Sequence, residues 1–151
     1  LLTRLLPLLR QAGLRVSTMK RTHHSVDLDQ PGKDSFRHRQ AGAEEVMVVS
    51  GSRWALLRET PEPPPLRELA ARLAPVDLVL VEGFKTDDFP KIEVHRPALG
   101  KTPLWPGMGS VVAVASDDSG LACVPPLLPL NDAAEIARFV AGFVAAGRGA
   151  A

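Results

Sequence analysis

The chain has 151 residues, 45% of them apolar, and a formal net charge of +1. That size and composition suit a single globular domain with its own core, and the near-neutral balance excludes a uniformly basic nucleic-acid binder, leaving electrostatic recognition to local clusters. One cysteine, Cys123, excludes an internal disulfide and a cysteine-only zinc site, and fits a reducing compartment. No apolar run approaches the roughly 18 residues of a membrane span, and no secretory-leader pattern stands at the start. A cytoplasmic protein with no membrane or nucleic-acid partner is expected.

Taken in order, residues 1–12 (LLTRLLPLLRQA) place Leu2, Leu5, Leu6 and Leu9 at helical spacing, and Gly13 stands where the helix should stop. Pro7 falls where it would break a short helix or kink a longer one. LRVSTM (14–19) predicts a strand. In a βαβ unit a further strand should precede the helix, and the chain reads as starting in mid-fold. Next comes KRTHHSVDLDQPGKDSFRHR (20–39), with five Lys/Arg, three Asp and three His. It holds a turn at Pro31-Gly32 and an expected helix from about Phe36 to Gly42, capped by Asp34 or Ser35. EEVMVVSG and SRWALLRET predict a β-hairpin turning near Ser50-Gly51-Ser52, with Trp54 suited to cover a sheet face. LRELAARL places Leu66, Leu69 and Leu73 on one helical face. VDLVLVEGF, KIEVH and VVAVAS predict strands, the first and last of them buried. Asn131 is expected to cap a final helix whose apolar stripe is Ile136, Phe139, Val140, Phe143 and Val144.

Alternating helices and buried strands imply an α/β fold with a mainly parallel sheet, whose ligand lies beyond the carboxyl ends of the strands. Lys20 to Asp29 leave the first strand at that end, Glu82-Gly83 leave the second, and Ser116-Asp117-Asp118 leave the third. These three polar sets are expected to converge on one edge as an anion and metal site.

The run KRTHHSVDLDQPGKDSFRHRQAGAEEVMVVS, then RWALLRET, then DLVLVEGFKTDDFPKIEVHR, then VVAVASD closely resembles the molybdopterin-guanine dinucleotide biosynthesis protein B (MobB) family, from about Leu2 to the C-terminal helix. The resemblance implies a three-layer, P-loop NTPase-like sandwich with a β-hairpin extension, a single domain over 1–151. It also implies GTP and Mg²⁺ as ligands, a homodimer, and a role in attaching GMP to molybdopterin alongside the nucleotidyltransferase MobA. In the family a strand and a G-x-x-x-x-G-K-[ST] loop precede the helix resembling residues 1–12. The 151 residues contain no such motif, and a segment carrying it is expected ahead of Leu1. Without that cradle at most a weak GTPase is expected, and a non-catalytic scaffold that binds molybdopterin or the partner protein without nucleotide turnover stands as the alternative.

By the same resemblance, Glu82 occupies the place of the acid that binds Mg²⁺ in P-loop proteins, or else caps the following turn. Asp27 and Asp29 can point the same way toward Mg²⁺, or cap turns and pair with Lys33. Lys20, Lys33 and Arg37 can hold phosphates, with Gly83 beside them; Arg39 is expected on a solvated helix face, and Lys85 and Lys91 on the same basic rim. His23 and His24 lack the spaced third ligand of a zinc site and suit hydrogen bonding to phosphate or Asp27. Asp117 can accept from guanine N1 and N2 or cap a turn. Trp54 and Trp105 are expected in core or dimer contacts.

Overall fold

The structure is a computed structural model that describes residues 1–22 and 28–148. Its elements in chain order are α1 (Leu2–Gln11), β1 (Val16–Lys20), α2 (Asp34–Gln40), β2 (Glu45–Ser50), β3 (Arg53–Arg58), α3 (Leu66–Ala71), β4 (Leu78–Glu82), β5 (Lys91–His95), β6 (Val111–Ser116), β7 (Leu127–Pro129) and α4 (Ala133–Arg148). They fall into two compact units, one of Leu1–Lys20 with Leu73–Ala151, the other of Arg21–Arg72. Parallel and antiparallel sheets with packed helices make an α/β fold, consistent with a P-loop NTPase-like sandwich.

In the first unit β1 pairs in parallel with β4, from Val16 opposite Leu78 to Lys20 opposite Glu82. A second all-parallel sheet has the order β5-β6-β7. Alternation along the strands sends every second side chain to one face, so Val16, Leu78, Leu80, Ile92, Ala113, Ala115 and Leu128 reach a common cluster. Leu5 and Leu9 of α1 and Ala133, Ile136, Ala137 and Val140 of α4 fill it from the helical side. Ala113 and Ala115 are fully buried; their small side chains let both helices lie close to the sheet.

The first helix tolerates Pro7 in its interior, although proline costs a helix interior about 3 kcal/mol. Leu5 and Leu9, at 3% and 0% exposure, flank it and offset much of that, at roughly 1.5–3 kcal/mol each. As expected, Gly13 ends the helix. With φ +82° it directs its own N–H to the Arg10 carbonyl at 3.0 Å and that of Leu14 to Leu9 at 3.1 Å, the paired bonds of a left-handed C-terminal cap.

The crossover from β5 to β6 carries only two single 3₁₀ turns, Pro97–Leu99 and Trp105–Gly107. Its clamp is Glu93, whose carboxylate accepts from the Leu104 N–H at 2.9 and 3.0 Å and the Trp105 N–H at 3.0 Å. Trp105 then meets the buried His95 edge-on, with centroids 5.2 Å apart.

In the second unit β2 and β3 form the expected hairpin, with Ser50 paired to Arg53 across the turn. One face carries the directly opposed pairs Met47–Leu56 and Val49–Trp54, all exposed, Trp54 at 66% and Val49 at 70%. Helix α2 differs from expectation. It begins at Asp34, which puts Lys33, a side chain with no acceptor, at the N-cap position and leaves the helix without a side-chain cap; the Ser35 hydroxyl, inside the helix, donates to Asp29 Oδ1 at 2.8 Å.

Two further differences concern the C-terminal segment. The three-residue β7 was not foreseen, since prolines crowd PPLLPL. The cap of α4 is Asp132, whose Oδ1 accepts from the Glu135 N–H at 2.9 Å, one residue beyond the expected Asn131. Among the described residues no helix is long and apolar enough to cross a membrane. Because Ile136 is fully buried while Phe143 is 44% exposed, Ile136→Ala should lower the unfolding free energy by about 2–5 kcal/mol. Phe143→Ala should cost about 0.5 kcal/mol or less, both read from urea denaturation.

Candidate functional site

Parallel register sets the first cluster. Lys20 and Glu82 are the last paired residues of β1 and β4, which brings the Lys20 ammonium to 3.9 Å from the Glu82 carboxylate. Both side chains are at least half exposed, so the pair adds only about 0–1 kcal/mol to stability; two opposite charges are held at a strand end open to solvent.

Immediately after Glu82 the backbone turns left-handed twice, at Gly83 (φ +85°) and Phe84 (φ +49°). Only glycine takes such a φ without cost; for phenylalanine it costs about 1–2 kcal/mol, and the burial of the Phe84 ring, 7% exposed, offsets it. The loop that follows is pinned by Lys91. Its ammonium donates to the Asp87 carbonyl, to the Phe89 carbonyl at 3.0 Å and to Ser110 Oγ at 3.2 Å, and sits 4.3 Å from the Phe89 ring centroid. Lys91 therefore anchors a loop and does not stand on a solvated basic rim.

The second cluster lies where β5 and β6 end. His95 is opposite Ser116, and one residue on, Arg96 Nε lies 3.7 Å from Asp117 Oδ2. Asp118 makes the turn, accepting the Gly120 N–H at 2.9 Å while its own N–H donates to Ser116 Oγ at 3.1 Å. The turn-forming role considered for Asp117 thus belongs to its neighbour. Asp117 instead lines an open concavity of about 350 Å³ beyond the ends of β6 and β7, with Ser119, Leu127, Leu130, Asn131 and Glu135.

The remaining expected residues belong to the other unit or to residues 23–27. Lys33 and Arg37 are exposed, Lys33 at the N-cap position of α2 and Arg37 within it. Asp29 is nearly buried. Its Oδ1 accepts from the Gln30 N–H at 3.0 Å and from Ser35, and its Oδ2 lies 3.8 Å from Arg39 Nε. Arg39, expected in solvent, is only 14% exposed and joins Asp29 to Glu59 while lying over Phe36. A buried guanidinium needs such partners, which is why the helix-face expectation fails for this residue. His23, His24 and Asp27 lie outside the described residues.

Arg96, Asn131 and Glu135 were not singled out as site residues from the sequence; only strand register and the start of α4 gather them. Among the described residues no group of three or more His, Cys, Asp or Glu could hold a metal ion. That is compatible with Mg²⁺, which is commonly held by one or two carboxylates, waters and substrate phosphates in place of a protein cage, and Glu82 offers one such carboxylate.

The profile of the family described as "Molybdopterin guanine dinucleotide synthesis protein B" matches residues 1–117. The molybdopterin-guanine dinucleotide biosynthesis adapter protein of Escherichia coli (strain K12) is 41% identical over 144 residues, covering 93% of this chain and 82% of its own length. Its namesake from Haemophilus influenzae is 39% identical over 142 residues, covering 93% and 79%. The crystal structure of a molybdopterin-guanine biosynthesis protein B superposes with a TM-score of 0.73 at 25% identity, over 94% of this chain and 89% of the other. That of a MobB homologue from Bacillus stearothermophilus gives 0.66 at 20% identity, over 96% and 88%, a likeness of fold alone. Matched by the family profile over most of its length and more than a third identical to both relatives, the chain belongs to the molybdopterin-guanine dinucleotide biosynthesis protein B (MobB) family.

Proposed function

We propose that this chain is a GTP-binding accessory protein of molybdenum-cofactor biosynthesis, assisting a MobA-type nucleotidyltransferase that attaches GMP to molybdopterin, with at most weak GTPase turnover. The observation that carries the proposal is the Lys20–Glu82 pair at paired strand ends, followed by the left-handed turn at Gly83 and Phe84. Glu82 supplies the Mg²⁺ carboxylate and Lys20 a point charge for phosphate. Lys33 and Arg37 supply further cations, His23 and His24 hydrogen bonds to phosphate, and Asp117 a contact to the base. Asp29, the other described acid considered for the metal, is engaged within its own unit by Gln30, Ser35 and Arg39.

Calorimetric titration of the full chain with GTP and Mg²⁺ tests this. GTP should bind in a Mg²⁺-dependent manner and ATP should not. Glu82→Gln should weaken Mg²⁺·GTP binding about tenfold or more, the loss expected for one charge-assisted contact. Equal binding of ATP would undo the guanine assignment.

The assembly proposed is a homodimer through the exposed hairpin face of Met47, Val49, Trp54 and Leu56, an apolar surface of the kind that marks an interaction site. Light scattering at micromolar concentration should give a dimer mass for the wild type and a folded monomer for Trp54→Glu. A monomeric wild type would sink it.

The same hairpin face supports a second reading, a scaffold that binds the transferase or molybdopterin without nucleotide turnover. Pull-down of a MobA-type transferase with and without GTP separates the two: nucleotide-dependent association favours the first.

A further inference from the structure

The left-handed residues Gly83 and Phe84 directly follow the Glu82 carboxylate, and a non-glycine residue stays at such a φ only where its surroundings over-determine it. Burial of the Phe84 ring is one such constraint. The other is a run of hydrogen bonds through residues 84–91. The Phe84 carbonyl accepts from the Asp87 N–H at 3.1 Å, and the Asp87 carbonyl accepts from the Phe89 N–H at 3.2 Å. The same Asp87 carbonyl accepts from the Lys91 ammonium.

Lys91 closes that run with a complete set of partners. An ammonium has three N–H donors, and here they go to the Asp87 carbonyl, to the Phe89 carbonyl at 3.0 Å and to Ser110 Oγ at 3.2 Å, with the centre of the Phe89 ring 4.3 Å away. All of these are neutral groups. Two carbonyls, a hydroxyl oxygen and a ring turned on one point repel one another unless a cation sits between them, so the ammonium is what lets the loop close. The Lys91 main chain is fixed separately: its N–H donates to the Ser110 carbonyl at 2.8 Å, and it stands opposite Val111 at the register shift that starts β5. One residue thus ties the loop leaving β4 to the second sheet of the same unit.

We propose that Lys91 is a positioning residue for Glu82, a built-in cation that holds residues 84–90 closed and Phe84 left-handed, and so fixes the direction in which the Glu82 carboxylate leaves the strand end beside Lys20. The inference deepens the nucleotide-binding reading and rests on it for what Glu82 then holds; the setting of the turn stands without it. Lys91 itself touches neither metal nor nucleotide. Its effect on binding passes through Glu82 alone.

Protein-observed NMR and calorimetry on the full chain test the proposal. Without any nucleotide, Lys91→Ala should shift the Gly83 and Phe84 amide signals. Propylammonium, the fragment that the substitution deletes, should return them, and propan-1-ol, of the same size without the charge, should not. Mg²⁺·GTP affinity should fall about tenfold in Lys91→Ala, as in Glu82→Gln, and recover with propylammonium. In a Glu82→Gln background the same substitution should cost less than twofold more, the non-additivity of two residues acting through one contact. Ser110→Ala removes one acceptor and keeps the charge; it should move the same signals less and cost about threefold, and it carries the test if Lys91→Ala does not fold. Unmoved Gly83 and Phe84 signals, recovery with propan-1-ol, or losses that multiply in the double variant overturn the proposal. Normal Mg²⁺·GTP binding by Lys91→Ala overturns it while the nucleotide-binding reading stands. A wild type that binds no GTP sinks that reading, and amine-restored signals at Gly83 and Phe84 then still support the setting of the turn by Lys91.

Discussion

One apolar cluster joins two sheets that no hydrogen-bond ladder joins among the described residues. The β1–β4 pair and the β5–β6–β7 sheet are separate hydrogen-bonded ladders, and what places them in one unit is the shared burial of Leu5, Leu9, Ile136 and Val140 from α1 and α4 against side chains of both. Apolar burial is non-directional, so register within each sheet comes from backbone pairing while their mutual arrangement comes from close packing of particular shapes. Fully buried alanines on β6 and fully buried Leu9 and Ile136 on the helices are the complementary halves of that fit.

Charge is distributed differently at the two strand-end clusters, and the difference is chemical. At β1 and β4 a single acid and a single base stand exposed side by side, so neither is neutralised by burial and both can exchange partners with solvent or ligand. At β6 and β7 the carboxylates of Asp117 and Glu135 line a concavity with leucine and proline, Arg96 lies beside Asp117, and the Arg4 guanidinium donates to the Asn131 carbonyl. Asp29 and Arg39 represent a third regime, a buried ion pair whose partners are fixed within its own unit. Three arrangements of the same side-chain types thus differ in how readily they can give up their present partners.

Much of the fold was legible in the sequence. Helical spacing of leucines gave α1, Gly13 gave its end, β-branched runs gave β4 and β6, and the hairpin followed from two strand-like runs around Gly51. What escaped was set by tertiary context. β7 is too short and too flanked by proline to carry a periodic signal. The choice of Asp132 over Asn131, and of Asp118 over Asp117, depends on which of two adjacent carboxyl or amide groups reaches a particular N–H, and local sequence does not encode that distance. Of the candidate site, Lys20 and Glu82 could be placed at strand ends because a run of apolar residues stops there. Arg96 and Glu135 could not, since their significance arises only when β5 lies beside β6 and α4 begins next to β7. Arg39 illustrates the converse: its sequence neighbours are polar, yet contacts with Asp29, Glu59 and Phe36 draw it inward.

The clamp of Glu93 on the Leu104 and Trp105 amides bears on how this family member can vary in length. A crossover between parallel strands usually relies on a helix to hold its shape; here one carboxylate does so from the strand itself, and it fixes only the far half of the connection. Between the exposed Leu99 and the clamped Leu104 the chain makes a left-handed bend at Gly100 with an open surface. Insertions there would lengthen a free segment at little entropic cost. An insertion between Leu104 and Trp105 would part the two clamped amides and shift the ring that meets His95, so lineages can be expected to elaborate the stretch before the clamp and keep the clamped pair adjacent.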